Sequence, residues 1–132
     1  MSTHTEGKFS VTSFDEKKHL EVDEERAVSR ATIVQTYEGG LSAEATHELL
    51  MCYNADGTAD IVGFARIVGS VGDRSGSWLE QSSGHFDGHT ARGTSAIVKG
   101  SGKDGFENIS GTGTNWSDKD GRTGYTLDYD LG

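Results

Sequence analysis

Two glutamates near the middle of the chain, Glu48 and Glu80, are the side chains best suited to chemistry. Each stands in a segment where polar residues alternate with apolar or small ones, which is the pattern of a half-buried β-strand. A carboxyl group enclosed by apolar walls has its pKa raised by desolvation and can act as a general acid or base. Glu48 is therefore the predicted catalytic residue, for an isomerisation or cyclisation that requires no cofactor.

Neighbouring side chains suit the holding of a ligand better than proton transfer. Aromatic rings offer flat apolar surfaces, and hydroxyl and carboxyl groups can orient a bound molecule. The predicted ligand-binding residues are Cys52, Ile61, Trp78, Glu80, Ser82 and Phe86. Structural roles compete with this interpretation, because carboxylates in strands are usually solvated or paired with arginine and aromatic residues usually fill a core.

Two other patterns invite a metal or phosphate interpretation. His85 and His89 flank a predicted two-residue turn at Asp87-Gly88, which would point the two imidazoles to opposite faces, so we predict no metal site. Residues 100–105 (GSGKDG) match the GxGxxG pattern but lack the strand and helix around it that give the pattern its phosphate-binding meaning. No cofactor site is expected.

The composition favours an all-β fold. A chain of 132 residues with 19 glycines, no proline and 33% hydrophobic residues suits many turns and short strands better than a helical bundle. This length supports one hydrophobic core, so we expect a single domain over residues 1–132.

Charge and cysteine content restrict the partners. With a net charge of −9 and 12 scattered basic residues, the chain is a poor match for the phosphate backbone of a nucleic acid. No apolar run approaches the roughly 18 residues of a membrane span, and the first residues lack the apolar segment of a secretory signal. The single cysteine fits a reducing compartment. We expect a cytoplasmic protein without nucleic-acid or membrane partners.

Alternation of apolar and polar residues predicts eight strands. They cover residues 7–14, 27–38, 43–53, 58–69, 74–86, 89–99, the end of 106–116, and 125–131. Residues 15–26 are dense in charge and are predicted to form an exposed loop, with a short amphipathic helix as the alternative. Because closure removes the exposed edges of a hairpin-linked sheet, we predict a closed antiparallel eight-stranded meander barrel of the allene-oxide-cyclase or lipocalin kind, with room for one small ligand.

The turns predict which side chains share a face. Two-residue turns at Asp56-Gly57, Gly72-Asp73 and Asp87-Gly88 would align one row, made of Glu48, Ala65, Glu80 and Ser95. In that row the two glutamates are about 10 Å apart, two strands at about 4.8 Å each. We expect this face inside, because its mixture of small and aromatic residues suits a tapered interior.

The opposite face would then expose an apolar patch. It would contain Leu49, Met51, Val62, Phe64 and Leu79. Monomers rarely expose such a patch, so we expect a homodimer or a higher homo-oligomer. If the two faces are exchanged, these residues become the core, and Glu48 and Glu80 become surface carboxylates.

Several blocks of the sequence resemble a bacterial family of unknown function that is grouped by fold with the allene-oxide-cyclase-type barrels. The blocks are LLMCY (49–53), VGFAR (62–66), GDRSGSW (72–78), GHF (84–86), ARGTS (91–95) and YTLDYDL (125–131). The resemblance implies an eight-stranded barrel and an oligomer, without an established activity. That family often has an acidic residue at the position of Ala65 and a histidine at that of Ser82, so this chain departs from it at two predicted interior positions.

Three functions fit these residues. The favoured one is a binding module that holds a small, partly apolar molecule inside the barrel, because the predicted inner face combines glycines with Trp78 and Phe86. The second is a cofactor-free isomerase or cyclase that uses Glu48, which rests on analogy of fold. The third is an oligomeric interaction or stress-related protein that acts through the apolar patch without a ligand.

Overall fold

The computed structural model describes residues 2–132 and contains nine β-strands. They are β1 (Thr3–Glu21), β2 (Ala27–Gly39), β3 (Leu41–Tyr53), β4 (Ala59–Val71), β5 (Arg74–Phe86), β6 (Thr90–Ile97), β7 (Lys103–Asp104), β8 (Ser110–Asp118) and β9 (Thr123–Asp130). Within the described residues there is no helix of the length and apolar character needed to cross a membrane.

All strand pairs are antiparallel, and the sheet closes on itself. The order around the barrel is β1-β2-β3-β4-β5-β6-β8-β9, with β9 paired to β1, while the short β7 pairs with the start of β5. The fold is thus a closed eight-stranded barrel with one extra strand, which confirms the predicted fold class.

The first strand is much longer than the sequence predicted. The expected exposed loop over 15–26 is wrong, because β1 continues to Glu21 and its second half pairs with β2 from Asp15↔Thr32 to Glu21↔Ala27. Pairing through main-chain hydrogen bonds places no demand on outward side chains, so a run of charges does not prevent it. The remaining loop is short and is closed by the Asp23 carboxylate, which accepts the N–H groups of Glu25 and Arg26 at 2.8 Å.

Aromatic rings and a tyrosine hydroxyl close one end of the barrel. The Tyr37 ring meets that of Tyr125 edge to face, with centroids 4.9 Å apart. The Tyr125 hydroxyl accepts the N–H of Leu41 at 2.9 Å and donates to the carbonyl of Glu38 at 2.8 Å. These bonds tie the corner between β2 and β3 to β9.

The segment between β6 and β8 covers the same end. Phe106 and Ile109 are 1% and 4% exposed, and the Phe106 ring stands perpendicular to that of Trp78 at 4.9 Å. They lie in a hydrogen-bonded turn, in which the Ile109 N–H donates to the Phe106 carbonyl at 3.1 Å. This segment therefore fills the barrel mouth.

The hairpin turns set the faces of the strands, and one differs critically from the prediction. The turn between β4 and β5 has two residues, with Val71 opposite Arg74, as predicted. The loop between β3 and β4 has five residues, because Tyr53 pairs with Ala59, and Gly57 adopts a φ of +87°. A loop of five residues in place of the predicted two shifts the register of β3 against β4 by one residue.

Candidate functional site

The one-residue shift in register between β3 and β4 places every side chain of β3 on the opposite face from the one predicted relative to β4. The interior row is His47, Ala65, Glu80 and Ile97. The predicted interior position of Glu48 is therefore wrong. Between β5 and β6 the loop is two residues longer than predicted, with Phe86 opposite Ala91, but a shift of two leaves the faces unchanged.

Glu48 lies on the outer surface in an ion pair. Its side chain is 47% exposed and accepts a hydrogen bond from Arg30 Nε at 3.2 Å and another from Thr32 Oγ1 at 2.9 Å. The Thr32 hydrogen bond, followed by that of Arg30, holds the pKa of Glu48 below its usual value. The desolvated setting on which its predicted acid–base role depends is absent at this position.

Most of the predicted ligand-binding residues do face inward. This inner set is Ile61, Trp78, Glu80, Ser82 and Phe86. Cys52 faces outward instead, because it lies on the reversed strand β3. At Gly63, one of the small inner residues, the space is filled: a Cβ atom there would meet Leu49 Cδ2 at 2.8 Å.

Glu80 is enclosed among packed side chains. Trp78 Nε1 donates a hydrogen bond to Glu80 Oε2 at 2.8 Å, and the Ser95 hydroxyl also interacts with the carboxyl group. Desolvation nevertheless raises the pKa of Glu80. The hollow beside it, bordered also by Tyr37 and Asn115 of the facing strands, measures about 20 Å³, which is space for one water molecule. The predicted ligand-sized cavity around Trp78 and Glu80 is therefore wrong.

His47 forms a second interior polar group that the sequence analysis missed. Its Nε2 donates to Gln35 Oε1 at 3.0 Å, and the same oxygen accepts the Tyr37 hydroxyl at 2.8 Å. Burial lowers the pKa of His47 to about 4, so the imidazole is neutral at pH 7. The available signal was the alternation that puts Ala45, which is 0% exposed, in phase with His47.

A third polar group ties the second half of β1 to the barrel. The Glu16 carboxylate accepts hydrogen bonds from Ser29 Oγ and from the Tyr53 hydroxyl, the latter at 2.5 Å. Burial and the bond to Glu16 raise the pKa of Tyr53 to about 12. No sequence signal pointed to Glu16, because it falls in the segment predicted to be a loop.

The two histidines considered as metal ligands are His85, on β5, and His89, in the loop that follows β5. His85 faces outward and donates from Nδ1 to Asp60 Oδ1 at 2.9 Å, while His89 lies in the loop before β6. The predicted two-residue turn at Asp87-Gly88 is wrong, since Phe86 pairs with Ala91 and four residues lie between them. Between residues 2 and 132, no three side chains of histidine, cysteine or acid type come together as a metal site.

A hollow of about 910 Å³, which we call the outer trough, lies on the outside of the barrel. Its lining takes three consecutive residues from each of five strands, namely 48–50, 62–64, 81–83, 94–96 and 112–114, with His19 and Arg30 beside β3. In each triplet the middle residue faces inward and the two others face outward. Strand backbone therefore forms the floor, and outward side chains form the walls.

The walls of the outer trough are apolar on one side and polar on the other. Leu50, Val62 and Phe64 are 43%, 53% and 53% exposed. Beyond them the lining is polar, with Gln81, Ser83, Thr94, Thr112 and Thr114. A ligand site commonly combines an apolar surface with a few polar groups that fix orientation, and a volume of about 300–1,000 Å³ is usual.

The apolar patch predicted on the outer face is present with altered members. Val62, Phe64 and Leu79 face outward as predicted, whereas Leu49 and Met51 turn inward with the rest of β3. Leu50 takes their place, and Val68 adds a fifth exposed residue farther along β4. Exposed apolar patches of this kind are uncommon on monomeric proteins.

Comparisons with known proteins agree with the geometry at the level of fold. A family model described as "Protein of unknown function (DUF3224)" matches residues 5–129. A crystal structure of a DUF3224 protein of unknown function from Shewanella oneidensis superposes with a TM-score of 0.83 at 23% sequence identity, covering 98% of both chains. No curated protein matches the chain.

Proposed function

This chain belongs to the DUF3224 family of proteins of unknown function, and from the geometry of its outer face we propose that it is a binding protein for a small, partly apolar molecule. The observation that carries the proposal is the outer trough, where Leu50, Val62 and Phe64 present exposed apolar surface in a hollow of about 910 Å³. Covering that surface removes apolar area from water, which favours binding by about 25 cal/mol per Å².

The interior supports this location by elimination. Chemistry at Glu80 would need space for a substrate, and the hollow beside it is about 20 Å³. The alternative of an interior isomerase or cyclase thus lacks room, whereas the outer trough has the volume of a ligand site. The proposed ligand is still the small, partly apolar molecule predicted from the sequence. Its binding site is proposed on the outside of the barrel instead of the interior.

Two valines on the outer face of β4 provide a matched test. Val62 lines the outer trough and is 53% exposed, while Val68 on the same strand is 45% exposed and lies outside the trough. Nile red, an uncharged dye whose fluorescence rises in apolar surroundings, is the probe. We expect Val62→Ser to weaken Nile red binding about fivefold and Val68→Ser to leave it unchanged. Equal effects of the two substitutions, or no binding by the unaltered protein, would contradict the proposal.

A second candidate function is association with another copy of the chain. It is favoured by Val68 and Leu79, which are 45% and 41% exposed and lie outside the outer trough. A ligand in the outer trough would leave both side chains in water. A two-fold contact across this face would cover them. Light scattering at micromolar concentration tests this: a dimer that Leu79→Ser converts to monomer supports it, and a monomeric parent protein contradicts it.

A further inference from the structure

A second hollow, which we call the polar hollow after its side chains Ser83, His85, Arg92 and Thr94, continues the outer trough. It measures about 320 Å³ and lies over the paired backbone of Gly84 and Gly93. Ser83 and Thr94 line both hollows, so the two form one continuous surface. The new side chains that this end adds are His85 and Arg92, which face each other across β5 and β6.

The polar side chains at this end lie on the same outer face of β5 and β6, around Gly84 and Gly93. Asp60 Oδ1 accepts the His85 Nδ1 proton at 2.9 Å, and a neutral imidazole that donates from Nδ1 keeps Nε2 as an acceptor, so the cationic donor at this end is Arg92. Arg92 has no carboxylate within ion-pair distance among the described residues. The guanidinium is therefore available to a ligand, with the hydroxyls of Ser83 and Thr94 beside it.

Two carboxylates lie near this group, and both are already engaged. Asp60 holds His85, and its pKa is lowered chiefly by that hydrogen bond. Asp87, which interacts electrostatically with Arg92, uses Oδ1 to accept the N–H groups of His89 and Thr90 at 2.9 and 2.8 Å. Over Gly84 and Gly93 the Arg92 guanidinium can therefore donate to an anion, and the hydroxyls of Ser83 and Thr94 can donate as well.

From this arrangement we propose that the polar hollow binds the anionic head group, carboxylate or phosphate, of the molecule whose apolar part occupies the outer trough. The spacing agrees: Val62 pairs with Ser83, and His85 is two residues farther along β5, about 7 Å at about 3.4 Å per residue. A medium-chain amphiphile bridges that distance. This inference rests on the proposed function and specifies that the ligand has an anionic head group and an apolar chain.

Two ten-carbon probes separate the head group from the chain. Decanoate carries a carboxylate and 1-decanol does not, and each is titrated into uniformly ¹⁵N-labelled protein below its micelle-forming or solubility limit. We expect both probes to shift the amide signals of Val62 and Phe64, and decanoate alone to shift those of Gly84 and Gly93. We further expect Arg92→Gln to weaken decanoate binding about fivefold and leave decanol binding unchanged.

Arg66→Gln is the matched control, since Arg66 also faces outward on this sheet but lines a different hollow with Val68 and Ser70. It should leave decanoate affinity unchanged. If decanoate shifts the Val62 and Phe64 signals but not those of Gly84 and Gly93, or if Arg92→Gln and Arg66→Gln act alike, the head-group inference is wrong and the proposed function stands. If neither probe shifts the Val62 and Phe64 signals, both are wrong.

Discussion

The inner face of the barrel holds His47 and Glu80, while the outer face of the same strands exposes Leu50, Val62 and Phe64. Inside, each polar group is matched: no buried side-chain nitrogen or oxygen of residues 2–132 lacks a hydrogen-bond partner. Outside, Leu50, Val62 and Phe64 remain 43%, 53% and 53% exposed. The hydrogen bonds of the fold therefore explain why polar groups occur inside the barrel. They do not explain why apolar side chains are exposed outside it. Substitutions inside should change stability, and substitutions outside should change binding.

The largest expected effect is the loss of Trp78. This side chain is 1% exposed, packs on Phe106 and donates to Glu80. We expect Trp78→Ala to lower the free energy of unfolding by about 3–5 kcal/mol, because it removes a large buried ring and the hydrogen-bond donor of a buried carboxyl. Urea denaturation measures the change. Trp116→Ala, at the outward and only partly buried tryptophan, should cost less than half as much; equal costs would contradict the distinction between the two faces.

The next largest effect is a loss of stability in acid that depends on His47. Its folded-state pKa, about 4, lies below the unfolded value of about 6.5. The contribution of neutral His47 is therefore complete above pH 6.5 and is lost as the pH falls toward 4, by about 3 kcal/mol in total at about 1.4 kcal/mol per pH unit.

Unfolding in urea at several pH values between 4 and 7 measures this dependence. His47→Gln removes the titration and keeps a side chain that can hydrogen-bond Gln35, so the variant should lose less stability over that range than the parent protein. An identical pH dependence in the two proteins would show that His47 is not a buried neutral imidazole.

The exchanged positions of Glu48 and His47 show how far the sequence determines this structure. The β4–β5 turn at Gly72-Asp73 was predicted correctly, since Val71 pairs with Arg74. The same reasoning failed at Asp56-Gly57, because an Asp-Gly pair suits both a two-residue turn and a longer loop in which Gly57 forms a bulge. Asn54 N–H donating to the Thr58 carbonyl at 2.9 Å selects the longer loop. A shift of one residue in the register between β3 and β4 thus places the imidazole of His47 inside the barrel, where the carboxyl group of Glu48 was predicted.

Other features were predictable in kind but not in place. Closure of an eight-stranded barrel follows from the number of hairpins, and the outward positions of Val62, Phe64 and Leu79 follow from alternation on β4 and β5. The interior filling does not follow, because a glycine in the sequence does not reveal whether a neighbour such as Leu49 occupies its space. The outer trough depends on the curvature of five strands together, which no local pattern specifies.

Adjacent leucines on β3 offer a sharper comparison of the two faces. Leu49 faces inward over Gly63, and Leu50 faces outward at 43% exposed. We expect Leu49→Ala to cost about 2 kcal/mol and Leu50→Ala at most about 0.5 kcal/mol in urea denaturation. The reverse order would restore the face assignment predicted from a two-residue turn, with Glu48 inside.

The smallest effect concerns Glu80 and appears only on raising the pH. Its pKa is raised by desolvation in the folded state, so its favourable contribution is complete below the unfolded value of about 4.3 and is lost as the pH rises through the folded value. A glutamine side chain at this position cannot ionise, and its amide oxygen can still accept the Trp78 N–H. Glu80→Gln should therefore match the parent protein near pH 4 and exceed its free energy of unfolding by about 1–2 kcal/mol at pH 8.

Measuring unfolding at pH 4 and pH 8 distinguishes this from a simple packing effect. A packing change alone would alter stability equally at both values, whereas removal of a buried ionisable group alters it only where the carboxyl would lose its proton. Glu48→Gln is the control, because Glu48 is on the outer surface with its pKa lowered by Thr32 and Arg30, and it should show no gain at pH 8. If Glu48→Gln gains stability at pH 8 and Glu80→Gln does not, then the two glutamates have exchanged faces, and the interior of the barrel rather than the outer trough becomes the place to look for a ligand.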